Sequence, residues 1–431
     1  MTIASRLREY GSTPRILGVD LARGLAMLGM FGAHVGYTGD GNLLDPWGWL
    51  SIVHGRSAVL FALLAGVSIA ILSGRSTPLD GVELLQARTR ILARAVVIFA
   101  VGGILEALGT NVAVILPVYA LLFVGSLPFL RWSSKRLFLL AGALALVSPV
   151  VAALYLGLGA IGVGGASAFL DLLITGPYPG IIWIVFVLVG LGVGRLDLAS
   201  KAVAVRLVVA GVIVAVAGYG IGGAAELVTY GATDSSQPVA PSSSSAAAAL
   251  PQNVDADDLD LAQSSCDVYD DGTAFCYPDD FYDQPQPEYA GSSTPLTYSV
   301  DLSSLVTIAP HSGSPFEVVG ATGFALLVLG LSLLVARRLR WVLYPLIAVG
   351  AMALTAYSAH IVVLAVIGQS AYGRPDNWLY LAFVVGALVF CGLWTLLLGR
   401  GPLERGLSRV SRMAARLTPK LDPTPEPIEK V

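Results

Sequence analysis

The chain has 431 residues, with 26 Lys or Arg against 29 Asp or Glu and a formal net charge of −3. It is 55% hydrophobic and only 13% charged, with a mean hydropathy of +0.74, whereas soluble domains carry about 25% charged residues. This excludes an ordinary soluble enzyme, and nothing in the charge pattern suggests a nucleic-acid partner.

About 20 apolar residues cross a bilayer. Ten segments are long and apolar enough to be predicted spans: 16–37, 48–73, 91–109, 112–130, 137–157, 179–198, 205–224, 316–336, 342–369 and 377–398. The expected fold class is therefore all-α, a polytopic membrane protein. One set of connections is rich in Lys and Arg, from Arg6, Arg8 and Arg15 through Arg75, Arg131, Lys201 and Arg337 to the tail, while the other set holds only Arg374. Basic connections stay in the cytoplasm, so both termini are expected there, in a multi-pass protein of the cytoplasmic membrane.

The first segment reads Gly18-Val19-Asp20-Leu21-Ala22-Arg23-Gly24. Its charges and the lack of a small-residue cleavage site mark a retained helix, not a signal peptide. Asp20 and Arg23 are i and i+3 and can pair on one helix face. They read either as a structural ion pair or as a polar port for an anionic ligand, since Arg suits phosphate and carboxylate. His34 ends the segment eleven residues later, about 16 Å farther along a helix. A ligand held at Arg23 needs a long arm to present a reactive group there.

An external turn with Asp40, Asp45, Trp47 and Trp49 leads to His54-Gly55-Arg56-Ser57. Arg56 lies on the outer side, where basic residues are disfavoured, so it either snorkels to headgroups or pairs with Asp45, Glu106 or Glu317. Glu106 sits toward the outer end of the third span, and Glu317 at the mouth of the eighth, six residues after His311. His360 lies in the outer half of the ninth. A carboxylate beside an imidazole could orient it as a general base.

The connection 225–315 is acidic and contains no Lys or Arg. Its stretch 232–250 is low-complexity. Cys266 and Cys276, nine residues apart in between, suit a local disulfide rather than a zinc site, and no metal is expected. Cys391 reads as apolar packing. The tail 400–420 has apolar residues at helical spacing among basic ones and is expected to lie on anionic headgroups. The expected organisation is helices one to seven in 1–224, an extracytoplasmic acidic loop in 225–315, helices eight to ten in 316–398 and a cytoplasmic tail in 399–431. No internal repeat is found, so an inverted-repeat transporter is not supported.

All four histidines thus fall near the outer face. Ionisable groups within a membrane usually mark function. For each histidine alone, a structural hydrogen bond is as good a reading as catalysis; for the set, a functional site is favoured.

The opening GVDLARGLAMLGM resembles the first helix of the heparan-alpha-glucosaminide N-acetyltransferase-like membrane proteins and their YeiB-type bacterial relatives. Further matching pieces are His54-Gly-Arg-Ser with LFALLAG, Tyr119-Ala-Leu-Leu-Phe, Thr175-Gly-Pro-Tyr-Pro179, Gly194-Arg-Leu-Asp-Leu198 and Pro310-His-Ser-Gly313. Leu354-Thr-Ala-Tyr357-Ser-Ala-His360 and Gly401-Pro-Leu-Glu404 complete the series. The resemblance implies acyl transfer across a membrane, from cytosolic acetyl-CoA to a sugar amine on the far side. The family's histidine between the first two spans falls near Asp45 here. On this reading acyl-CoA is a co-substrate and no tightly bound cofactor is expected. It enters past Asp20 and Arg23, and His54 first, or His34, serves as base or transient acyl carrier. Arg56 stabilises the oxyanion or binds the acceptor, and His311, His360, Glu317 and Glu106 line the acceptor side. The acceptor is expected to be an envelope glycan or glycolipid, and a homodimer is left open. The rival is a transporter or exporter of an envelope precursor, with the same residues as relays.

Overall fold

The computed structural model describes residues 15–37, 46–157, 167–230, 264–268, 274–278, 302–369 and 376–416. The described chain is helical apart from one hairpin. In order come α1 (Leu17–Val35), α2 (Arg56–Leu72), α3 (Gly81–Glu106), α4 (Leu116–Gly125), α5 (Ser134–Gly157) and α6 (Gly180–Gly194). Next are α7 (Lys201–Ala215) and α8 (Ile221–Tyr230), joined by a π-helical turn at Val216–Gly220, then α9 (Pro315–Val335) and α10 (Tyr344–Ala351). The series closes with α11 (Ala353–Ile367), α12 (Asn377–Leu397) and α13 (Pro402–Arg416).

Each of the ten predicted segments holds helix, but their lengths differ from the sequence expectation. Four helical stretches are long and apolar enough to cross a membrane: Ser134–Tyr155, Lys201–Thr229, Pro315–Val335 and Asn377–Leu397. A fifth arises if α10 and α11, bent by 85° at Met352, count as one span. Helices α2, α4 and α6 are apolar but shorter. Large apolar side chains stand exposed on the outer helices, including Leu139 at 75%, Ile213 at 62% and Val366 at 80%. So many exposed large apolar side chains are foreign to a soluble monomer, and they mark a membrane protein.

The chain divides into two compact units, residues 1–232 with 300–431, and residues 233–299. In the second, β1 (Ser264–Val268) pairs antiparallel with β2 (Ala274–Pro278), and the register sets Cys266 opposite Cys276. The predicted disulfide between them concerns side chains outside the described residues, as do Asp40 and Asp45.

In the first unit, α1 packs on α10, α2 on α6, and α7 on α9. Gly350 makes the α1–α10 contact: a Cβ there would overlap the carbonyl oxygen of Asp20. Small residues permit such close approach where no hydrophobic effect drives helices together.

The helix α13 differs from a free headgroup-bound helix. It packs against α3 and α11, held by Glu404, which accepts from the Thr355 amide at 3.0 Å and the Thr355 hydroxyl at 2.6 Å. This carboxylate caps the first turn of α11, where helix amides lack partners. Glu404→Ala is expected to destabilise the docked helix by about 1.5–3 kcal/mol, the worth of hydrogen bonds to a charged group. Limited proteolysis in detergent checks this: cleavage within 400–416 should accelerate while the bundle stays intact.

Candidate functional site

Two cavities lie at opposite ends of α1. The first, of about 440 Å³, is lined by the start of α1, the second half of α2, the middle of α3, α4, and the starts of α11 and α13. Five arginines reach it: Arg15, Arg23, Arg75, Arg94 and Arg400. The carboxylates among its lining residues are Asp20 and Glu404. Arg23 pairs with Asp20 at 2.7 Å and donates to the Ser68 hydroxyl, also at 2.7 Å. Glu404 is occupied by Thr355. Arg94 differs: its Nε is buried and meets no acceptor among the described residues. A desolvated guanidinium among other cations is costly unless an anion joins it. The sequence reading missed Arg94, because a basic residue near the end of a predicted span reads as ordinary topology. The signal available was its position four residues beyond Arg90, inside a predicted span.

The second cavity, of about 370 Å³, is a recess at the other end of α1. His34, His54 and His311 line it, with Tyr178, Asn111, Ser57, Gln369 and Tyr357. His360 stands behind His34, with His34 Nδ1 and His360 Nε2 2.9 Å apart. The His54 and His311 rings meet edge to face at 5.8 Å. The four histidines are therefore gathered at one place, from the end of α1, the middle of α11 and the approaches to α2 and α9.

The local backbone explains how His54 reaches His311. Arg56 N donates to the His54 carbonyl at 2.8 Å, closing a three-residue turn at Gly55, whose φ is +70° and ψ −46°. That is the rare, strained γ-turn, and glycine alone adopts it readily. A Cβ on Gly55 would also press within 3.0 Å of Pro310, next to His311. His311 itself has a φ of +63°, uncommon for a non-glycine residue and typical of functional sites. More than a third of its surface remains accessible. Lost hydration in the recess, then repulsion from His54, hold its pKa down to about 4, so the ring is neutral at pH 7. Gly55→Ala is expected to cost about 1–3 kcal/mol of stability, read as an earlier thermal unfolding midpoint, and to separate His54 from His311.

Tyr357 lines both cavities. Its hydroxyl accepts from the Ile115 amide at 3.3 Å, leaving its own hydrogen for another partner. Tyr119 continues the wall, donating to the Ala58 carbonyl at 3.1 Å and stacking on Phe61. One layer of side chains thus separates the arginine cavity from the histidine recess.

The remaining predicted residues lie elsewhere. Arg56 does not line the recess. It donates from Nε to the Tyr219 hydroxyl at 2.8 Å and from Nη1 to the carbonyls of Ser51 and Ile52 at 3.3 and 3.1 Å. Its partner is thus a tyrosine and two carbonyls; among the described residues no carboxylate lies within salt-bridge range of it. Glu317 is buried at the start of α9, where its amide donates to the capping Ser314 hydroxyl. Glu106 is exposed at the end of α3. No group of three or more His, Cys, Asp or Glu among the described residues could hold a metal.

Residues 15–230 match the family model described as heparan-alpha-glucosaminide N-acetyltransferase, catalytic, half of the chain. The chain belongs to this N-acetyltransferase family. Residues 292–413 match a second model, described as a protein of unknown function (DUF418). No curated protein and no solved structure matches the chain. Neither family match includes residues 231–291, the bulk of the acidic insert. In this family member His34 and His54 come from the first matched region and His311 and His360 from the second. The recess is assembled where the two regions meet.

Proposed function

We propose that the protein is a membrane acyltransferase that passes an acyl group, acetyl by family, from cytosolic acyl-CoA to an acceptor at the outer face. The observation that carries the reading is the pair of cavities: five arginines at one end of α1, three histidines at the other, and Tyr357 in the wall of both. A donor with a phosphate-rich head and a long thioester arm fits that separation. Arg23, Arg94 and their neighbours hold the phosphates, with Asp20 orienting Arg23. The arm reaches the wall at Tyr357, whose free hydroxyl hydrogen can stabilise the developing oxyanion. Arg56 is engaged by Tyr219, Ser51 and Ile52, so we assign it to fixing the entry into α2.

In the outer recess a histidine acts as base toward the acceptor's amine or hydroxyl. We assign His54 and His311 to lining the acceptor side with Tyr178. Ten segments crossing the cytoplasmic membrane, with both termini inside, place the arginine cavity in the cytosol and the recess outside. An envelope glycan or glycolipid is the acceptor class on that side. Purified protein given labelled acetyl-CoA and glucosamine as probe acceptor should yield labelled N-acetylglucosamine. Absence of both CoA binding and transfer would overturn the proposal.

A further inference from the structure

We infer that His34 and His360 form an imidazole dyad in which His34 takes the acceptor's proton and His360 positions it. The inference rests on the acyltransferase reading above and selects, among the recess histidines, the one that acts.

The two residues are 326 positions apart in sequence, yet Nδ1 of His34 and Nε2 of His360 are 2.9 Å apart. The rings are nearly parallel, at 13° with centroids 5.1 Å apart. His360 is 3% exposed. It is walled by Phe31 at 4.8 Å, Tyr357 at 5.1 Å and Phe383 at 6.5 Å, so it does not reach a substrate. With Nδ1 engaged, His34 has only Nε2 to offer the recess that it lines.

The tautomers follow from the neighbours. Nδ1 of His360 is buried and makes no hydrogen bond within the usual limits among the described residues. The backbone groups acting on the ring are the carbonyls of Ala356 and Tyr357, four and three residues back on α11. Nδ1, next to Cγ, is the ring nitrogen that faces its own helix, since Nε2 faces His34. A carbonyl only accepts, so that nitrogen carries the hydrogen of neutral His360. Its Nε2 is then the acceptor, His34 donates from Nδ1, and the lone pair of His34 stays on Nε2. This is the tautomer a general base needs. On taking a proton His34 keeps donating from Nδ1 to His360, so nothing has to reorganise. A second proton on the pair is opposed by like-charge repulsion. The other titratable groups facing His34 across the recess are His54, His311, Tyr178 and Tyr357; no carboxylate, Lys or Arg is among the described lining residues. His54 and His311 meet only ring to ring, and among the described residues no side-chain hydrogen bond orients either one.

The step balances. The acceptor N–H or O–H gives its proton to His34 Nε2 as its heteroatom bonds to the thioester carbonyl carbon. The C–S bond breaks, the electron pair leaves on sulfur, and His34 returns the proton to give free CoA thiol and acylated acceptor.

Two measurements on the full-length protein separate this inference from the reading beneath it. The first is modification by diethyl pyrocarbonate against pH, read per residue by mass spectrometry. His34 should react at pH 7 and His360 should not. His360→Phe removes the acceptor that favours the His34 cation, so the acid midpoint of His34 modification should fall, and His360→Gln, which keeps an acceptor oxygen, should restore it. The second is transfer kinetics: His360→Phe should lower kcat by on the order of tenfold or more with KM little changed, and His360→Gln should recover most of it. An unreactive His34, or a midpoint indifferent to His360→Phe in protein that remains folded, overturns the dyad. Equal kcat in the Phe and Gln variants overturns it too. Modification as expected, with no transfer by the unaltered protein, leaves the dyad standing and removes the transferase reading.

Discussion

Arg94→Gln will weaken CoA binding by roughly 10–150-fold, with no loss of stability in the unliganded protein. The size follows from losing one charge-assisted hydrogen bond to phosphate, about 1.5–3 kcal/mol. The unchanged stability follows from Arg94's surroundings. Its Nε has no acceptor among the described residues, and the charges that act on it are Arg23, Arg90 and Arg400, all positive. Removing a cation from that group relieves repulsion, while a neutral amide still fills the space. Calorimetric titration with CoA and a thermal unfolding scan check the two halves separately. Arg23→Gln should behave otherwise. It too binds CoA less well, but it strands Asp20, which is 6% exposed and paired to it at 2.7 Å. Leaving a buried charge without its partner costs about 3–5 kcal/mol, so this variant should also unfold earlier.

His34→Ala will lower the rate of transfer by about 10²–10⁴-fold, the usual contribution of a positioned general base. CoA affinity should hold, because His34 lies at the far end of α1 from the arginines. His54→Ala should act chiefly on the acceptor KM, with a smaller loss in kcat. Steady-state kinetics with acceptor and donor varied in turn distinguish the two variants.

Much of this arrangement was legible before the structure. The alternation of basic and non-basic connections marked one face, and the four histidines fell on it together. Asp20 and Arg23 could be paired from their spacing alone, and the structure pairs them at 2.7 Å. Partners that are distant in sequence were not legible. Nothing in the segment around His34 points to His360, because α1 and α11 approach only after α10 has broken at Met352 and turned through 85°. The break itself has no proline at its centre. The sequence offers Arg56 either headgroups or a carboxylate as partner, yet it takes Tyr219 and two carbonyls, since a guanidinium can be satisfied by neutral acceptors. Arg94 was hidden by the positive-loop rule itself, for a basic residue near the end of a predicted span attracts no notice. Tyr357 was visible only as one letter of a motif. Its place in the wall of both cavities depends on α4, α11 and the Ile115 amide together.

The separation of donor and acceptor sites across the membrane is the centre of this account. Proteoliposomes of known orientation, given labelled acetyl-CoA on the arginine-cavity side and glucosamine on the recess side, test it directly. Labelled N-acetylglucosamine should form on the recess side, and none should form when donor and acceptor are both confined to the recess side. Equal product with both confined there would contradict the account.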